Sequence, residues 1–97
     1  MGIDYNFTMN EEIGENLVNL IENPGYTLKN FVYDLIIEPD YSLNEFSISD
    51  DELNEVLLKF VENNKFYFPK FNTKTNNVQE EFLKSFEEHY TTLKKRA

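Results

Sequence analysis

Two proline-centred corners, fifteen residues apart, constrain the fold of this chain more than any other feature. Asn19–Phe31 reads Asn-Leu-Ile-Glu-Asn-Pro-Gly-Tyr-Thr-Leu-Lys-Asn-Phe, and Asp34–Phe46 reads Asp-Leu-Ile-Ile-Glu-Pro-Asp-Tyr-Ser-Leu-Asn-Glu-Phe. Six of the thirteen positions are identical, Pro24/Pro39, Tyr26/Tyr41 and Phe31/Phe46 among them. In each copy a Leu-Ile pair closes a helix and proline forces a turn. Thr27 or Ser42 then caps the next helix, and Leu and Phe three residues apart anchor it. The tyrosine before each cap is expected to act as a hydrophobic staple, Tyr26 on Phe31 and Tyr41 on Phe46. Two copies are too few for a solenoid, so the corners argue for a small bundle.

Hydrophobic periodicity supplies the rest of the helices. Ile13, Leu17, Leu20 and Ile21 make one face of a helix over 8–22, with Thr8 as N-cap and Glu11 completing a capping box. Leu28, Phe31, Val32, Leu35 and Ile36 predict a helix from Thr27 to Ile37, and Ser42 heads one further turn through Phe46. Ser49 opens a strong helix to Asn63, with Leu53, Val56, Leu57, Phe60 and Val61 inward. Asp50, Asp51 and Glu52 sit in its first turn, where the helix dipole favours anions. The last helix begins near Asn76 and runs toward Arg96, with Val78, Phe82, Phe86, Tyr90 and Leu93 on one face.

Residues 64–75 break the pattern. Phe66, Tyr67, Phe68 and Phe71 combine with Lys65, Lys70 and Lys74 and read as an aromatic connecting arm, extended near 65–71. Phe66 and Phe68 would then cover the core while Tyr67 faces water. The arm could instead offer an edge strand to a partner, or stack on single-stranded nucleic acid, which the acidic remainder of the chain disfavours. The expectation is a mainly α fold in which four helices and a short helical turn form one domain over 1–97, after a tail at 1–7. With 40% hydrophobic residues, nine Phe and six Tyr, 97 residues can build a real core.

Charge divides the chain. Residues 1–63 carry fourteen carboxylates against two lysines, whereas 64–97 carry four against seven basic residues. The first part repels nucleic acid and anionic membrane, and attracts a basic protein surface. Net charge of this size also serves solubility. There is no cysteine, which excludes a disulfide framework, a thiolate zinc site and a cysteine nucleophile together. Met1–Asn6 holds no secretory signal pattern and no apolar run reaches a membrane span, so a cytoplasmic setting is expected.

Catalytic chemistry has little to work with. His89 is the single histidine and reads as a solvated surface residue. No glycine cluster or Gly-x-Ser-x-Gly elbow is present. Adjacent pairs such as Glu11/Glu12 and Glu87/Glu88 cannot face one another on a helix. No catalytic residue, metal ligand or cofactor is assigned, and an enzyme is not expected.

Two resemblances touch the second corner. Asp40, Ser42, Asn44 and Ile48-Ser49-Asp50-Asp51-Glu52-Leu53 resemble an EF-hand loop entering its exit helix, which implies calcium at 40–52. Counted back from Glu52, Phe46 stands where that motif has glycine; counted from Asp40, Glu45 does and the loop is a residue too long. Pro39, Leu43, Phe46, Ile48, Ser49 and Glu52 are spaced as in the helical leader domains of ribosomally made peptide precursors, to which this stretch is similar. That likeness implies a docking handle for a peptide-modifying enzyme. The chain departs from it in having no cysteine-bearing core peptide and no Gly-Gly cleavage site.

The favoured expectation is a small acidic protein-binding module, of inhibitor, immunity or adaptor type, that docks a basic surface. A nucleic-acid mimic that blocks a DNA-binding enzyme is the first alternative. Candidate contacts are Asp40, Glu45, Asp50, Asp51, Glu55, Tyr67 and Phe71. Oligomeric state is left open.

Overall fold

The computed structural model describes residues 3–96, with the side chains of residues 3–94. Four helices account for most of it: α1 (Glu11–Glu22), α2 (Leu28–Asp34), α3 (Asp50–Asn63) and α4 (Val78–Arg96). A lone 3₁₀ turn occupies Lys65–Tyr67. The Cα radius of gyration is 13.3 Å, close to the roughly 13 Å of a compact chain of this length. α1 packs on α2 and α4, while α3 packs on α2, α4 and the 3₁₀ turn.

Capping chemistry starts each helix. Asn10, not Thr8, caps α1: its Oδ1 accepts from the Ile13 N–H at 2.9 Å and its own backbone is extended. Asn10 stands one turn before the first buried residue, Ile13, so the helix starts two residues later than the Thr8 pattern predicts. Thr27 and Asn30 form a reciprocal capping box on α2. Ser49 Oγ accepts from the Glu52 N–H on α3, and Asn77 Oδ1 accepts from the Glu80 N–H at the start of α4.

α2 ends three residues earlier than periodicity predicts. Ile36 leaves the helix to bridge Tyr5 in an antiparallel pair, with Asn6 N–H donating to Leu35 O at 2.7 Å and Ile37 N–H to Asp4 O at 2.9 Å. Residues 4–6, read from sequence as part of a tail, are therefore paired. Two β-branched residues before Pro39 favour extended backbone over another helical turn. Glu38 then takes a left-handed φ of 51° to make the corner. Tyr41 and Phe46 stack as the staple predicts, 6.2 Å apart and 7° from parallel, and Tyr33 donates to Tyr41 O at 2.7 Å. At the first corner Tyr26 donates its hydroxyl to Asp34.

The core centres on phenylalanine. Phe31 of α2, Phe60 of α3, Phe68 of the arm between α3 and α4, and Phe82 of α4 are all buried. Phe60 meets the other three with centroids 5.3, 6.1 and 6.0 Å away, and Phe68 approaches Phe82 to 4.8 Å. Leu17, Leu35 and Leu57 close the cluster, and all five inward residues expected of α3 are buried. The arm is not extended at 65–67. Its 3₁₀ turn sends Phe68 inward and leaves Phe66 72% exposed, so Phe66 does not cover the core.

One buried polar side chain ties the N-terminal segment to the end of α3. Asn64 is only 8% exposed, and its Nδ2 donates to both Phe60 O and Phe7 O at 2.9 Å. Replacing it with alanine strands the Phe7 carbonyl, so Asn64→Ala is expected to cost about 2 kcal/mol in urea denaturation. Asn63→Ala, which removes only an exposed bond to Lys59 O, should cost well under about 1 kcal/mol. Phe60→Ala should cost about 3–5 kcal/mol, much of the stability such a domain has.

Candidate functional site

The outward face of α3 carries a regular row of exposed side chains. Asp51, Glu55, Leu58 and Glu62 recur at i, i+4, i+7 and i+11, opposite the buried stripe, and all four are exposed. Leu58 stands 38% exposed among three carboxylates. Two open grooves flank this ridge.

On one side, a groove of about 480 Å³ has Leu58, Val61, Phe68, Pro69 and Phe71 as its apolar lining, with Glu62 and Lys65 on the rim. On the other, the Ile3–Phe7 segment lies beside Glu52, Glu55, Val56 and Lys59. Lys59 Nζ sits 3.7 Å from Glu55 Oε1 with both side chains largely solvated, a pair worth little.

The three acids of the first α3 turn diverge, as 100° per residue requires. Asp51 faces outward. Glu52 turns to the N-terminal segment. Asp50 turns toward α4, where Gln79 Nε2 reaches both Asp50 Oδ1 (3.4 Å) and Asn54 Oδ1 (3.3 Å). Of the residues expected to contact a partner, the structure gathers Asp51, Glu55 and Phe71 at the α3 ridge and its grooves. Asp40 and Glu45 are exposed in the segment before α3 and line neither groove. Tyr67 belongs to a different cluster. Sequence reasoning missed Leu58, Glu62 and Tyr5. The first two show as an interruption and an end of the acidic period on α3; nothing local marks Tyr5.

His89 is not the solvated residue its neighbours in sequence suggest. Its ring lies 5.6 Å from both Phe66 and Tyr67 and 6.2 Å from Phe86, and Nε2 is buried with no hydrogen-bond partner. Burial pushes the imidazole below its ordinary range. Further along α4, Tyr90 donates to Glu22 Oε2 at 2.8 Å and Lys94 Nζ reaches the same oxygen at 3.3 Å. The Tyr90 hydrogen bond, with help from Lys94, holds the Glu22 carboxyl below its usual range. This group fastens α4 to the end of α1.

Among the described residues, no three His, Asp or Glu side chains lie close enough together to share a metal ion, the 40–52 stretch included. None of the described helices is long and apolar enough to cross a membrane.

Because the folded state lowers the His89 pKa, it prefers the neutral imidazole. The associated stability is fully present above about pH 6.5 and is lost as pH falls through the lowered folded value. The urea midpoint should therefore drop between about pH 7 and 5, ahead of the carboxylate titrations. His89→Phe should flatten that part of the profile; an unchanged slope would show that the drop has another origin. No family model, curated protein or solved structure matches the chain.

Proposed function

We propose that this protein is an acidic docking module that binds a basic surface of a partner protein through the outward face of α3. The single observation that carries the reading is the ridge Asp51–Glu55–Leu58–Glu62 beside the apolar groove at Phe71. Exposed carboxylates alone serve solubility. A leucine held among them, next to a groove with Phe71 in its wall, adds the apolar centre that an interface needs.

The ridge suits a basic, amphipathic segment. Its apolar residues would meet Leu58 and Phe71, and its lysines and arginines would meet Asp51, Glu55 and Glu62. Acidic charge over residues 1–63 would steer such a partner during encounter. No catalytic step enters this reading, and the cytoplasmic setting expected from sequence goes with it.

The test is affinity capture from the native host at about 50 mM and about 500 mM salt, with wild type and charge-reversed baits. A basic partner should be retained at low salt and released at high salt. Glu55→Lys/Glu62→Lys should slow its association at low salt by roughly tenfold or more. Leu58→Asp should shorten the lifetime of the complex, whereas Glu11→Lys/Glu12→Lys on α1 should change binding only weakly. Equal loss from the α1 and α3 variants would reduce the ridge to general charge and overturn the proposal.

A further inference from the structure

The groove on the N-terminal side of α3 differs in chemistry from the one at Phe71. Two aromatic rings, Tyr5 and Phe7, line it with centroids 6.0 Å apart and planes tilted by 38°. Three carboxylates, Asp4, Glu52 and Glu55, stand around those rings against one cation, Lys59. Lys59 leans to Glu55, which leaves Asp4 and Glu52 without a cation partner among the described residues.

The backbone of the aromatic wall is held by the fold itself. The Tyr5–Ile36 bridge holds the segment through Asp4 O and Asn6 N–H, and Asn64 Nδ2 holds it again at Phe7 O. Burial raises the pKa of the Tyr5 hydroxyl, and the neighbouring Tyr41 and Glu52 add to the effect. The rings therefore stand on a backbone held at both ends, with negative charge beside them, and a held backbone reduces the entropy lost on binding.

Resting on the docking reading above, we propose that this groove takes the guanidinium of one arginine from the basic partner. A guanidinium is planar and weakly hydrated, stacks on aromatic faces and forks onto carboxylates. Tyr5 and Phe7 supply the faces and Glu52 the carboxylate, with Asp4 nearby. The methylene stem has Ile3 and Val56 to lie against. A lysine ammonium is a compact, strongly hydrated point charge, and it cannot fork or stack in the same way. The groove thus selects arginine over lysine, while the α3 ridge accepts either.

Titration of the full chain with the blocked peptides acetyl-Gly-Arg-Gly-Arg-Gly-amide and acetyl-Gly-Lys-Gly-Lys-Gly-amide, followed by NMR, tests this. The arginine peptide should shift the Tyr5 and Phe7 ring signals and the amides of 52–59, and should bind at least about fivefold more tightly than the lysine peptide. Glu52→Gln and Tyr5→Leu should each weaken arginine binding by about fivefold to tenfold and bring the two peptides closer in affinity. If Tyr5→Leu fails to fold, Glu52→Gln decides alone. Equal affinities for the two peptides, silent Tyr5 and Phe7 rings, or an unaffected Glu52→Gln would overturn the assignment. The two readings fail separately. Loss of partner capture on changing Leu58 and Glu62, with no effect of Glu52→Gln, would keep the docking face and remove the arginine groove.

Discussion

Phe60 touches three other phenylalanine rings, each from a different part of the chain, and the fold depends on that meeting. Phe31 brings in α2, Phe82 brings in α4, and Phe68 brings in the arm after the 3₁₀ turn. The first pair is close to edge-on at 86°, as is Phe60–Phe68, so hydrogen-bearing edges face ring centres. A cluster of this kind fixes direction as well as distance. It orients the inner side of α3, and in doing so it decides which side of α3 faces water. The acidic ridge is the outer consequence of an inner aromatic arrangement.

The second constraint is polar. Pairing residues 4–6 with the end of α2 turns the chain's first segment into part of the wall beside α3. Asn64 completes this by satisfying the Phe7 carbonyl, from a position just past the end of α3. An unsatisfied buried carbonyl is expensive. One asparagine at the C-cap of α3 therefore stops the helix, ties down the N-terminal segment and shapes the aromatic groove. Stability and the candidate binding surface share that residue.

Much of the fold was legible because it rests on local rules. The α3 stripe Leu53, Val56, Leu57, Phe60 and Val61 follows from helical spacing, and all five residues are buried. The Thr27 and Ser49 caps, and the Tyr41–Phe46 staple, are likewise relations within a few residues. What sequence did not show depends on distant partners. Ile36 fits the α2 period, yet it and Ile37 leave the helix where residues 4–6 pair with them. Phe66 alternates with Phe68 as a strand would, yet the arm coils and the ring points out. His89 carries no local sign of the Phe66–Tyr67 turn that covers it. The candidate site divides in the same way. Asp51 and Glu55 share a helix face by spacing, whereas the place of Phe71 beside Leu58, and the separation of Asp40, Glu45 and Tyr67 from the ridge, depend on how the chain returns.

The ridge also carries local charge repulsion. Asp51 and Glu55 are like charges at i, i+4, a spacing that destabilises a helix by a few tenths of a kcal/mol. Among the described residues the ion pairs are Lys59–Glu55 and Lys94–Glu22, and only the first lies near the ridge. Asp51 and Glu62 are left to water, and at roughly 16 Å of helix rise they do not repel one another appreciably. The first-turn acids gain from the helix dipole, but Glu55 and Glu62 lie beyond its reach, which fades after one turn. Glu55 is offset by its i, i+4 pair with Lys59, whereas Glu62 has no ion pair among the described residues and stands beside an exposed leucine. Under the docking reading proposed above, a cationic, partly apolar surface would relieve the Asp51–Glu55 repulsion and cover Leu58 in one step.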